Sequence, residues 1–148
     1  MSYQRIVVGT DGSETAGKAV EHAARLAASI GAAFIAVTAY DPHPPGIDRD
    51  RAQAPEDIKW RITASGIADD HAQDAVRLAR RAGVTEASAV SEAGTAAEAL
   101  LEVADRRRAD LIVVGSRGMS SPGRFLLGSV PNAVSHHAPC DVMIVRTS

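Results

Sequence analysis

Short β-branched runs alternate along this chain with segments whose apolar residues recur every three or four positions. Ile6-Val7-Val8-Gly9-Thr10 is the first run. It is continuous and not alternating, as in a strand covered on both faces of a parallel sheet. Asp11-Gly12-Ser13-Glu14 then gives a turn and a helix-start signal. Ala16, Val20, Ala23, Ala27 and Ile30 trace one helical face, and Gly31 is placed to end it. Phe34-Ile35-Ala36-Val37 predicts a second buried strand. Helical spacing returns at Ala64, Ile67, Ala68, His71, Ala75, Leu78, Ala79 and Ala82, and Gly83 closes that helix. Ala87 to Val90 predicts a weak third strand. Ala97, Leu100, Leu101 and Ala104 mark a third helix, with Glu102 and Arg106 at ion-pair spacing. Leu111 to Val114 and Val142 to Val145 are the fourth and fifth strands, and Asn132 to His137 belongs to a short fourth helix.

Strands that alternate with helices imply parallel pairing and right-handed crossovers. The expected fold is therefore a single α/β domain, 1–148, with a doubly wound, open, five-stranded parallel sheet. The pattern fails only over 41–57. DPHPPGIDRDRAQAPED is rich in proline and charge and reads as a long loop, either a plain connector or a lid.

Composition narrows the function. The apolar fraction is 45% and the charged fraction 23%, as in ordinary globular domains. A net charge of −2 gives no electrostatic footprint for nucleic acid or an anionic membrane surface. Aromatic residues, at 3%, are too scarce to form stacking platforms for single strands. The opening MSYQRIVVGT has no apolar leader, and no apolar run reaches the ~20 residues of a membrane helix. A soluble, cytoplasmic protein without nucleic-acid or membrane partners is the expectation.

In open α/β sheets, ligands bind beyond the carboxyl ends of the strands, where strand order reverses. Glycine-bearing corners follow two strands: Gly9-Thr10-Asp11-Gly12-Ser13 and Gly115-Ser116-Arg117-Gly118. They become neighbours if strands one and four flank the reversal. Gly115 and Gly118 allow close backbone approach to a ligand. Gly128-Ser129 starts the last helix, whose unpaired N–H groups and dipole suit an anion. Arg117 and Arg124 lie in the same loop and can neutralise phosphate. By spacing alone, a phosphate cradle and a simple chain-reversing loop remain equally open.

Other motifs are weaker. Gly12-Ser13-Glu14-Thr15-Ala16-Gly17-Lys18-Ala19 matches the G-x-x-x-x-G-K part of a P-loop, but Ala19 stands where a magnesium-binding Ser or Thr is required. The helical spacing also puts Gly17 and Lys18 inside a helix. His136, His137 and Cys140 cluster near the last strand without further ligands close in sequence, so a structural helix end is preferred to a metal site. No G-x-S-x-G or G-x-G-x-x-G is present.

Gly115-x-x-Gly118, nine residues, then Gly128-Ser129 resembles the G-2x-G-9x-G-[S/T] signature of the universal stress protein family. The opening IVVGTDGSE resembles that family's first strand and turn, and Ala138-Pro139-Cys140 before a Val-rich strand resembles its ending. Asp141 departs from the pattern, at a position where proline is common. The intact glycines resemble the ATP-binding branch. The resemblance implies a Rossmann-like or flavodoxin-like sheet of order 3-2-1-4-5, with an adenine nucleotide between the ends of strands one and four. It assigns Asp11 to the ribose and phosphates, and Gly9 and Thr10 of the same corner are candidate binding residues with it. It assigns Gly115, Gly118, Gly128, Ser129 and the Val130 N–H to the phosphate loop, in which Arg117 is the charged candidate. Thr38 or its neighbour would hold the adenine edge through the main chain. Any magnesium would come bound through the phosphates. The resemblance also implies a homodimer joined along the 142–145 edge. The leading function is an adenine-nucleotide binder with little or no turnover, in stress response or signalling. A cyclic AMP binder of the same family and an ATP-hydrolysing or phosphotransfer enzyme are the alternatives.

Overall fold

A computed structural model describes residues 3–42, 64–116 and 127–147. Most of the 41–57 segment, together with Arg117, Gly118 and Arg124, lies outside the described residues. The elements run β1 (Arg5–Gly9), α1 (Glu14–Ile30), β2 (Ala33–Tyr40), α2 (Ala64–Ala82), β3 (Ala87–Ala93), α3 (Ala96–Arg106), β4 (Leu111–Gly115), α4 (Ser129–His137) and β5 (Asp141–Val145). All four strand pairings are parallel, in the order β3-β2-β1-β4-β5. The doubly wound sheet expected from the sequence is the fold observed.

Each central strand is apolar on both faces because both are covered. Ile6, Val8, Phe34, Ala36, Leu111 and Val113 face α1 and α2. Val7, Ile35, Val37, Ile112 and Val114 face α3 and α4. Small side chains at Ala19, Ala23, Ala24 and Ala27 let α1 lie close to the sheet. Ser13 caps the helix by accepting the Ala16 amide at 3.2 Å, and Gly31 ends it at φ 73°. Gly31 is where the sequence put the end of this helix, and Ser13 falls within the Asp11–Glu14 start signal.

Two large apolar residues leave the predicted stripes, and Ala82 at the end of α2 is exposed as well. The buried face of α2 is Ala68, Ala72, Ala75, Val76 and Ala79. Ile67 is one residue, about 100°, before Ala68 on the helix, which turns it out of that face to 40% exposure. Ile30 is the last residue of α1, where Gly31 turns the chain away, and it is 37% exposed. Strand β3 runs on to Ala93, beyond the predicted Val90, and stays half-buried as a sheet edge. Asp141 begins β5 opposite Leu111 and accepts the Tyr3 hydroxyl at 2.9 Å, an anchor that a proline could not offer.

Arg106 at the end of α3 takes a different main partner from the one its spacing suggests. It meets both carboxylate oxygens of Glu92 on β3, at 2.8 and 3.4 Å, and lies 3.9 Å from Glu102. That hydrogen-bonded guanidinium holds the Glu92 carboxyl below its usual range.

Two outcomes follow from this packing. Leu111→Ala removes a side chain only 1% exposed and is expected to cost about 2–5 kcal/mol in denaturant unfolding, whereas Ile67→Ala should stay within about 0.5 kcal/mol. Because the Glu92 carboxyl is held low, its pairing stabilises the fold above the ordinary glutamate range and is lost as pH falls through the lowered value. Glu92→Gln should therefore be less stable than the parent at neutral pH, and the gap should close in acid; a gap independent of pH would exclude the linkage.

Candidate functional site

Strands β1 and β4 pair side by side, with Val8 opposite Val113, and end at Gly9 and Gly115. The two glycine corners are thus neighbours at the point of strand-order reversal. A cleft of about 290 Å³ opens there, and both corners line it.

The first corner is a turn built by its own side chains. The Gly12 amide donates to Thr10 Oγ1 at 3.1 Å, and the Ser13 amide donates to Asp11 Oδ1 at 2.9 Å. Such turns are a local habit of Asp and Thr. Gly12 has φ +80°, and an added Cβ would fall 2.6 Å from the His71 ring on α2. Glycine is required there both by conformation and by space. The turn holds Asp11 by one carboxylate oxygen and leaves its exposed carboxylate at the mouth of the cleft. Ser13, Thr15 and Ala16 continue this wall along the start of α1.

Opposite stands the start of α4. Its N-cap is Gly128, which has no side chain to offer, and no side-chain cap is formed. The first intrahelical bond runs from the Asn132 amide to the Gly128 carbonyl at 3.1 Å. Pro131 lies in the first turn, where a missing N–H costs nothing. The amides of Ser129 and Val130 remain as the orphan donors of this helix, and both residues line the cleft. With the helix dipole behind them, they form an anion-accepting end.

The remaining wall is apolar: Val37, Ala39, Ala96, Leu100 and Val114. Parity along β2 decides which backbone groups face it. Odd residues bond to β1: the Ala33 amide donates to Gln4 and the Val37 carbonyl accepts from Thr10. Even residues bond to β3: the Phe34 amide donates to Glu86 and the Tyr40 carbonyl accepts from Gly94. Residue 39 is odd and lies past the end of β1, so its N–H and C=O are directed into the cleft. Thr38 is even, its main chain serves β3, and its side chain is buried, with Oγ1 unpartnered. Of Thr38 and its neighbour Ala39, it is Ala39 that lines the cleft.

The structure brings together Gly9, Thr10, Asp11, Gly115, Gly128, Ser129 and Val130. Arg117 and Gly118 lie outside the described residues. Thr15 and Leu100 join the site without having been singled out for it from the sequence. The period of two in β2 implied that residues 37 and 39 share a face, but only the β1–β2 register shows which face meets the cleft.

Other candidate motifs stay apart from the cleft. Gly17 and Lys18 lie within α1, and Lys18 Nζ donates to the Thr147 carbonyl at 3.3 Å, so the P-loop geometry is not formed. His136 and His137 make a T-shaped ring contact, centroids 6.5 Å apart, on the exposed end of α4. Burial pushes the Cys140 thiol up, away from the reactive thiolate. Among the described lining residues Asp11 is the single charged group. The arrangement can hold a flat apolar group against Val37 and Leu100, give it a main-chain partner at Ala39, and receive an anion at α4.

Comparison with known proteins places this architecture. The chain is similar to Universal stress protein Rv1636 of Mycobacterium tuberculosis, 37% identical over 147 residues that cover 99% of each chain. It is similar as well to Universal stress protein MJ0531 of Methanocaldococcus jannaschii, 31% identical over 97% of this chain and 82% of that one. Its fold matches the crystal structure of a universal stress protein in complex with cAMP, with TM-score 0.73, 36% identity and 100% of both chains covered. The crystal structure of Rv1636 matches with TM-score 0.62 and 34% identity, over 100% of this chain and 98% of that one. The model of the universal stress protein family matches residues 2–146, and with these whole-length relatives it shows that the chain belongs to the universal stress protein family.

Proposed function

We propose that this chain binds an adenine nucleotide at the β1–β4 cleft and turns it over slowly or not at all. The observation that carries the reading is the uncapped start of α4, which lines a cleft whose far wall is apolar. A base fits between Val37 and Leu100, with its edge at the Ala39 main chain. Phosphate fits at the amides of Ser129 and Val130, and the Ser129 hydroxyl adds a donor. Asp11 stands at the mouth, where a ribose or a phosphate-bound magnesium would be met. ATP, AMP and cyclic AMP share the base and sugar, and the 36%-identical relative was solved with cAMP. The glycine signature at Gly115, Gly118 and Gly128 favours ATP, since a longer anion uses more of a backbone cradle. In this reading the protein is a cytoplasmic, homodimeric sensor in stress response or signalling.

Competitive calorimetry with ATP, AMP, cyclic AMP and adenosine tests the reading; binding of none of them defeats it. Steady phosphate release at an ordinary enzyme rate of about 1 per second or faster would overturn the slow-turnover part. Lys18→Ala should leave nucleotide affinity within about twofold, because a P-loop lysine would be at the phosphates and this one is on the Thr147 carbonyl.

Ser129→Ala is expected to weaken ATP by roughly 0.5–1.5 kcal/mol, or up to ~3 if the hydroxyl meets a charged oxygen. Adenosine should bind it as it binds the parent, and equal losses for both ligands would move the phosphate away from α4.

The homodimer is proposed along β5, an edge strand whose Ile144 is 37% exposed. Ile144→Lys should give a monomer in light scattering, and a parent that is already monomeric at micromolar concentration removes the proposal.

A further inference from the structure

Ser116, the first residue after β4, is tied to two other segments. Its amide donates to the Val145 carbonyl of β5 at 2.7 Å, and its carbonyl accepts the Gly128 amide at 2.9 Å. Its hydroxyl accepts the Thr147 amide at 3.1 Å and lies 3.4 Å from Thr147 Oγ1. Thr147 is itself 3% exposed, although it follows the edge strand. Its carbonyl is the acceptor for Lys18 Nζ, which reaches it from α1. Neither Ser116 nor Thr147 lines the cleft.

These bonds form a chain that ends at the anion-accepting donors. Thr147 holds Ser116, Ser116 holds Gly128, and Gly128 is the N-cap whose next two amides face the cleft. A buried threonine on an exposed edge is costly unless its polar atoms are used. Here they are used on the residue that fixes where the loop leaves β4 and where it returns to α4. The strength of an amide–phosphate bond depends on where the amide stands, so a tether behind the N-cap acts on affinity without touching the ligand.

We propose that Thr147 is a positioning residue of the phosphate subsite, acting through Ser116 to place the Gly128–Val130 amides. The inference rests on the adenine-nucleotide reading above and extends it to a residue outside the cleft. It predicts an effect graded by phosphate: the base and sugar meet β2 and the first corner, which the tether does not hold.

The test is calorimetry of ATP and adenosine on the full chain and on Thr147→Val, Thr147→Ser, Ser116→Ala and the Thr147→Val/Ser116→Ala double variant. Valine keeps the shape and loses the hydroxyl, while serine keeps the hydroxyl. Thr147→Val should lose about fivefold in ATP affinity, the order of one neutral hydrogen bond, with adenosine changed less than about twofold. Thr147→Ser should bind ATP within about twofold of the parent. Ser116→Ala should lose at least as much as Thr147→Val, because it removes the acceptor of the Thr147 amide as well as the hydroxyl contact, and the double variant should lose little more than Ser116→Ala alone. ATP affinity unchanged in Thr147→Val, an equal loss of adenosine, an equal loss in Thr147→Ser, or losses that multiply in the double variant would each overturn the positioning role. Ser116→Ala removes the whole side-chain link between the two residues and decides the matter should Thr147→Val fold poorly. A parent that binds neither ATP nor adenosine defeats the nucleotide reading itself, and the positioning role with it.

Discussion

The pairing of β1 with β4 is the contact on which the rest of the molecule depends. Up to this pair the sheet is extended in one direction, through β2 to β3; beyond it, the sheet is extended in the other, through β5. The chain leaving β1 enters α1 on one face, while α3 and α4 cover the opposite face. Beyond Gly9 and Gly115 the two departing segments separate, and the cleft is the space between them. Ile6, Val7 and Val8 against Leu111, Ile112 and Val113 supply the pairing, with every one of these side chains at 1% exposure or less. A register slip by one residue would exchange the faces of all of them, so burial on both sides holds the two glycine ends level.

Around that level the site divides its work between side chains and main chain. Asp11 and Thr10 spend their polar atoms partly on shaping their own turn. Gly128 offers nothing to the helix it caps, and that omission leaves the α4 amides for an anion. The apolar wall comes from Val37 and Val114 on the strands and Leu100 on α3. Leu100 Cδ1 would lie 2.9 Å from a Cβ at Gly9, so the glycine at the end of β1 gives this side chain its room as well as opening the corner. Backbone donors, one carboxylate and a flat apolar slot make a set suited to recognition. The sulfhydryl of Cys140, held toward its neutral form by burial, lies on the α3–α4 side of β5 and does not line the cleft.

The universal stress protein family match spans residues 2–146 and so includes both glycine corners of the cleft. The physical reading contributes the reason each position has the residue it has: Gly12 for its φ and for the His71 ring, Pro131 for a turn that needs no donor there. Lys18 shows the opposite case. It completes a motif-like string in the sequence, yet helix α1 carries it to the Thr147 carbonyl and away from any phosphate cradle.

Features that local rules control were legible along the chain. Runs such as Ile6-Val7-Val8 and Leu111-Ile112-Val113-Val114 need cover on both faces, so they announced buried parallel strands. Ser13 and Gly31 marked the ends of α1 because capping is settled within a few residues. The glycine corners and the start of α4 were legible for the same reason. Tertiary structure decided what depends on relative placement. Ile67 reads as apolar stripe, but the face of α2 that meets the sheet lies about 100° away. Arg106 has a helical neighbour in Glu102, yet its better partner, Glu92, comes from another element. Ala39 and not Thr38 faces the cleft, because the parity of β2 against β1 is set by their register. The link from Thr147 through Ser116 to Gly128 joins positions that are far apart along the chain. No pattern of spacing can announce such a bond, since hydrogen bonds between distant segments exist only once the sheet has brought them together.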